Sequence, residues 1–305
     1  MNQIASNTPA PERPLAISLL LGVSGWVAGG FLLMFVAVLF RPDTAGQAAF
    51  AGVILLGAAW GLFKVDGDGT QVFVTQFALA LSIAGQCLAL FAMSKDLHGI
   101  AQISGAALVL QVALVLVMPN RLHRTLSTLF ALIAWAMTVR FGLFGEPSYS
   151  YSSTRYIPSL PVALATWVLA WGPVMASLWW AVRQQKVWAE NPWAPALSAV
   201  ITGLISGLAF ATLASYPFES FRWFGNEQLS IGGLAMWPVL SALGALCALM
   251  AAFALRRRAL MAMCLIAALM HVGHFYYALG VSLLAKSLLM LVVGRRLLPW
   301  LLWQV

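Results

Sequence analysis

The chain has 305 residues, 62% of them hydrophobic and 9% charged, with a formal net charge of +8 and a mean hydropathy of +0.89. Soluble domains carry about a quarter charged residues, so a soluble globular fold is excluded. The apolar residues fall in uninterrupted blocks of about 20, the length at which an α-helix crosses a bilayer. Inside lipid every backbone N–H and C=O must be paired within the segment, and these blocks do not alternate as barrel strands do, so they are expected to be helices.

Residues 1–14, MNQIASNTPAPERP, are polar and Pro-rich and lack the basic n-region of a signal peptide. They are expected to be a disordered cytoplasmic tail ahead of a retained first span. Residues 15–305 then form one all-α, polytopic transmembrane domain of about ten helices. The expected spans are Leu15–Phe40, Gln47–Phe63, Gln71–Met93, Gly99–Met118, Thr125–Phe144, Leu160–Val182, Ala194–Ser215, Ile231–Leu255, Ala259–Phe275 and Leu279–Gly294. Breakers separate them: RPD after Phe40, VDGDG after Lys64, MPNR from Met118, EPS after Gly145 and ENPW before Ala194. No loop is long enough for a soluble catalytic domain.

Short-loop Lys and Arg set the orientation. With the N-terminus inside, Arg13, Lys64, Arg121, Arg124, Arg183, Lys186, Arg256, Arg257, Arg258, Arg295 and Arg296 face the cytoplasm. Only Arg41, Lys95, Arg140, Arg155 and Arg222 then lie outside, so both termini are expected in the cytoplasm. The basic excess therefore reflects topology and anionic lipid, without nucleic acid. Trp179, Trp180, Trp188, Trp193, Trp300 and Trp303 stand at block ends as an interface belt would place them. Gly25/Gly29, Gly57/Gly61 and Gly203/Gly207 form GxxxG pairs, expected to let helices approach within the chain. Cys87, Cys247 and Cys264 stand singly in apolar blocks and read as small buried hydrophobes.

One charge interrupts the last block. Lys286 follows the expected outer turn at Tyr276–Gly280 by six residues, so it lies about 9 Å down its helix. At the bilayer centre an ammonium costs about 2.5–3.5 kcal/mol on insertion scales. Two readings stand: the ammonium snorkels to the outer interface, or it joins a buried polar set. That set would include Ser282 one turn above, His271 and His274 on the preceding helix, Tyr276, Tyr277 and Arg140, with Arg155, Glu219 and Arg222 from the two longest outer loops. It is net basic and would favour an anionic solute, a lipid headgroup or a loop glutamate.

Two His of HVGH share a helical face, but zinc needs further ligands, so neither a metal nor another cofactor is expected. VDGDG lacks the remaining oxygens of a calcium loop and reads as a turn. No Walker, GxSxG, HExxH or GxGxxG motif occurs, and no catalytic residue is assigned.

HFYYALGVSLLAKSLLMLVVGRRLL resembles the C-terminal signature of a bacterial multi-spanning family, domain of unknown function 4401, through Phe275, Tyr276, Tyr277, Leu283, Leu284, Lys286, Ser287 and Gly294. TQFALALSIAGQCLALFAM is similar to a second stretch of that family through Gln76, Ala84, Gly85 and Gln86. The resemblance implies a helical inner-membrane protein and, as a partner, a small membrane-anchored protein with a Gly-Asp-Tyr motif; it implies no reaction. The leading expectation is thus a non-enzymatic membrane subunit that docks such a partner on its outer face. A permease with a basic outer cavity for an anionic solute or lipid comes next. An intramembrane lipid or quinone enzyme comes last, because no nucleophile–base pair is readable along the chain.

Overall fold

The computed structural model describes residues 15–40, 43–67, 71–144, 160–211 and 237–278, together with Leu284, Ser287 and Leu288. The described residues are helical apart from short connections, with no strand among them. In chain order the helices are α1 (Leu15–Phe40), α2 (Ala45–Val65), α3 (Val72–Asp96), α4 (Ile100–Val117), α5 (Arg121–Phe144), α6 (Leu160–Arg183), α7 (Gln185–Ala189), α8 (Ala194–Ala211), α9 (Trp237–Ala254) and α10 (Arg258–Ala278). Five of them, α2 to α6, are long and apolar enough to cross a membrane, and α1, α8, α9 and α10 carry shorter apolar stretches. Each of the first nine expected spans overlaps a helix, with 212–215 of the seventh and 231–236 of the eighth outside the described residues; the tenth lies outside them apart from Leu284, Ser287 and Leu288.

Local polar chemistry sets the helix ends that hydropathy placed differently. α2 begins ahead of Gln47 because Thr44 and Gln47 form a capping box: Gln47 N–H donates to Thr44 Oγ1 at 3.3 Å, and Thr44 N–H donates to Gln47 Oε1 at 3.3 Å. α5 begins four residues before Thr125, since Asn120 Oδ1 accepts the His123 N–H at 3.1 Å. At the end of α2 the buried Asp66 carboxylate accepts the Gln71 N–H at 3.0 Å and the Thr75 hydroxyl, tying the start of α3 to it. Between α9 and α10, Arg256 adopts a left-handed φ of 55°. Arg256 N–H donates to Phe253 O and Arg257 N–H to Ala252 O, the two bonds of a Schellman stop.

Two apolar cores result. The first joins α2, α3 and α4 through Leu55, Ala59, Phe63, Ala78, Leu79, Leu81 and Leu114. The second joins α5, α6, α8, α9 and α10 around Trp171, Ile205, Leu208, Ala248 and Cys264. α5 belongs to both, offering Leu126 to the first core and Leu132 and Ala136 to the second.

Close helix approaches occur at glycines. A Cβ on Gly85 would stand 2.9 Å from Gly52 O, and one on Gly52 would stand 2.9 Å from Gly85 O, so α2 and α3 touch backbone to backbone. Gly25 meets the α3 backbone and Gly203 meets Thr125 and Thr128 of α5, as the GxxxG pairing of those segments anticipates. Gly57 and Gly61 face open space instead, so that pair packs no neighbour among the described residues.

Two further expectations are corrected. Trp188 is buried, because α7 folds back and its indole N–H donates to Ala181 O at 2.7 Å; Trp179, Trp180 and Trp193 remain exposed. Cys87 is exposed and Cys247 half-buried, so only Cys264 is fully a core residue. Cys87 lies on the side of α3 turned away from its packed neighbours.

Candidate functional site

Among the described residues, the largest convergence of buried polar side chains lies between α3, α4 and α5. Ser82 and Gln86 stand one turn apart on α3, and His123 and Ser127 one turn apart on α5, so each pair shares a helix face. Gln111 joins them from α4. Ser82, Gln86, Gln111, His123 and Ser127 are all less than 5% exposed.

The bonds form a directional chain. Gln111 Nε2 donates to Gln86 Oε1 at 2.7 Å. Gln86 Nε2 donates to Ser82 Oγ at 3.2 Å, and it also lies 3.5 Å from His123 Nε2. Ser82 Oγ, which accepts from Gln86, lies 2.6 Å from His123 Nε2. With the ring proton on Nδ1, Nε2 accepts from Ser82 and Nδ1 faces Ser127 Oγ at 3.3 Å. Phe63 of α2 meets the imidazole edge-on, with ring centroids 5.7 Å apart and planes at 70°.

One atom of the chain is unsatisfied: Gln111 Oε1 is buried and has no hydrogen-bond partner. Leaving such an acceptor unpaired costs about 1–3 kcal/mol. The contacts across this region are uneven. α3 packs closely on α2, and α4 on α5, whereas α3 and α4 touch sparsely. The Gln86–Gln111 bond crosses that seam.

A second polar junction ties the other core together. Arg257 donates through Nη1 to Thr202 Oγ1 at 2.7 Å and to Ser198 O at 3.2 Å, and through Nη2 to Ser198 Oγ at 2.7 Å. Burial pulls its pKa down from the usual guanidinium range. This junction pins the α9–α10 turn onto α8.

The residues expected to form an outer polar set divide. His271 is buried in α10 with Nε2 2.9 Å from Ala209 O, which ties it to α8. Arg140 is half-buried on α5, its guanidinium 5.4 Å from the Phe141 ring centroid. Tyr276 and Tyr277 fall within the last turn of α10, one and two residues beyond the expected end of that span, and His274 lies on the same helix; their side chains are outside the described residues. Lys286, Ser282, Arg155, Glu219 and Arg222 are likewise outside the described residues. No group of three or more His, Cys, Asp or Glu able to hold a metal occurs among the described residues.

Sequence reasoning noticed Gln86 only through the family resemblance, and it missed Ser82, Gln111, His123 and Ser127. The available signal was the spacing Ser-x3-Gln on one apolar block and His-x3-Ser on another. Starting the fifth span at Thr125 left His123 in a loop and hid the second half of it.

Fold and site together define an all-helical protein with membrane-length apolar helices and a polar centre enclosed between three of them. The chain belongs to the family described as Domain of unknown function (DUF4401), whose profile matches residues 14–305. No curated protein and no solved structure matches it.

Proposed function

We propose that the chain is a ten-span protein of the bacterial inner membrane, both termini cytoplasmic, whose working centre is the buried polar chain of α3, α4 and α5. It would take a lipid or a small polar ligand from the bilayer between these helices. The observation that carries this reading is the unpartnered Gln111 Oε1 at the end of an otherwise continuous five-residue chain. Polar groups inside a membrane are expensive, and by default they mark a functional site. With the N-terminus inside, the α2–α3 and α4–α5 turns face the cytoplasm, so the centre opens toward the inner leaflet.

The test is complementation of a deletion strain by Gln111→Leu, followed through membrane lipid and metabolite profiles. Gln111→Leu, present in the membrane at the wild-type level, should fail to restore the profile. Full restoration would sink the reading. The orientation is tested by single cysteines at Thr44 and Gly67. Impermeant maleimide added to intact spheroplasts should label the first and spare the second.

A second reading, a membrane subunit docking a membrane-anchored partner with a Gly-Asp-Tyr motif, is favoured by family membership across a stretch that includes the Tyr-Tyr and Leu-Leu-x-Lys-Ser motif. Lys286, Tyr276, Tyr277 and the two aromatic outer loops would form the docking face. Purification of the tagged protein in mild detergent should bring down a stoichiometric small partner, and its absence would count against this role.

A further inference from the structure

We infer that Ser82 is a nucleophile with His123 as its general base, forming an acyl-transfer centre for an ester-bearing lipid that enters at the α3–α4 seam. The inference rests on the polar chain being the working centre and adds the chemistry that centre performs.

Each role has a residue in place. A serine hydroxyl is a poor nucleophile until a base takes its proton, and the base must lie within about 2.6–3.2 Å. Ser82 Oγ and His123 Nε2 are 2.6 Å apart, and in the Nδ1–H tautomer of the imidazole Nε2 is free to take the proton. The base needs an orienting group on its other nitrogen, and Ser127 Oγ lies 3.3 Å from Nδ1. A hydrogen-bond donor must stand beside the attacked carbonyl, where negative charge develops. The Gln86 amide N–H lies 3.2 Å from Ser82 Oγ, and Gln111 holds that amide through its oxygen at 2.7 Å. Ser127 and Gln111 are positioning residues in this scheme.

Cohesion alone explains less. α3 is already seated on α2 by the Gly52–Gly85 contact, and one interhelical bond to α5 would suffice to fix its rotation. Five side chains in one chain, with an acceptor left unpaired at the seam, exceed that need. The substrate class follows from location. The centre is buried and flanked by α4, whose outer face of Val109, Val112 and Leu116 is exposed as a lipid-facing surface would be. Parting α3 from α4 breaks the single Gln86–Gln111 bond and brings the unpaired oxygen and Ser82 to the acyl-chain region.

The reaction balances with water as co-reactant. Ser82 Oγ bonds to the ester carbonyl carbon while its proton passes to His123 Nε2, and the carbonyl oxygen takes up charge facing Gln86. The carbon–oxygen bond to the alcohol then breaks, and the alcohol leaves with the proton from Nε2. Water, deprotonated by the same nitrogen, attacks the acyl-Ser82 ester, releases the carboxylic acid and restores the hydroxyl.

The experiment treats the full-length protein, in native membranes, with a fluorophosphonate probe and maps the adduct by peptide mass spectrometry. Oγ–P bond formation with loss of fluoride should place one probe on Ser82. His123→Ala and His123→Gln, at unchanged membrane level, should slow labelling by about 100-fold or more, the scale of general-base assistance. Ser127→Ala should shift the pH profile of labelling, which a merely structural serine would not do. An unlabelled Ser82, in membranes where an added serine hydrolase is labelled, would overturn the inference, as would equal labelling of both His123 variants. If Ser82 stays unlabelled while Gln111→Leu still fails to complement, the centre binds a ligand without this chemistry. If Gln111→Leu complements fully, the underlying reading falls with it.

Discussion

Ser82 Oγ on α3 lies 2.6 Å from His123 Nε2 on α5, joining two helices whose contact residues are 41 positions apart in the chain. α5 is also the helix shared by both apolar cores, so this bond sits where one half of the protein is tied to the other. Its strength can be isolated from its neighbours. Ser82→Ala and His123→Ala each leave buried partners unsatisfied and should cost about 1–3 kcal/mol. The double variant should cost less than the sum by about 1 kcal/mol, the coupling of one buried bond. Unfolding in detergent would measure the cycle, and strict additivity would mean that the two side chains do not interact.

The glycines give a sharper contrast. Gly85→Ala puts a methyl 2.9 Å from Gly52 O, and neither backbone can yield without separating α2 from α3. A loss of about 1–3 kcal/mol is expected from such overpacking. Gly57→Ala meets open space and removes a helix-weakening residue, so it should be neutral or gain up to about 1 kcal/mol. Equal melting temperatures for the two variants would contradict the α2–α3 packing.

Thiol accessibility separates the three cysteines. A lipid-soluble maleimide should modify Cys87, which is exposed on an apolar face, while Cys264, fully enclosed in the second core, should react only after unfolding. Labelling resolved by mass spectrometry decides this. Protection of Cys87 in the purified monomer would place a protein neighbour over that face of α3.

The α9–α10 turn carries two arginines with opposite expectations. Arg256 holds a left-handed φ of 55° at a position where glycine is unstrained, so Arg256→Gly should gain about 1 kcal/mol. Arg257→Ala removes three hydrogen bonds to Ser198 and Thr202 and should cost about 1–3 kcal/mol. A thermal shift of the same sign for both variants would argue against the Schellman geometry.

Helix class and approximate boundaries were legible in the sequence because lipid allows only self-paired backbone over a fixed length, a constraint each block meets without help from its neighbours. So were the helix breaks after Val65 and at MPNR, since Pro and Gly act within a few residues. The same local logic underlies the family resemblance, which needs only residues in order along the chain. The candidate site was not legible. Ser82, Gln111 and His123 are unremarkable singly, and nothing local says that α3, α4 and α5 turn these faces toward one another. Tertiary packing decided that: Gly52 against Gly85 sets the rotation of α3, and the Asn120 cap extends α5 back far enough to carry His123 inside. The GxxxG pairs show the same limit. Gly25/Gly29 and Gly203/Gly207 meet partners and Gly57/Gly61 does not, because a small residue permits a close approach while only the arrangement of the other helices supplies the surface that makes it.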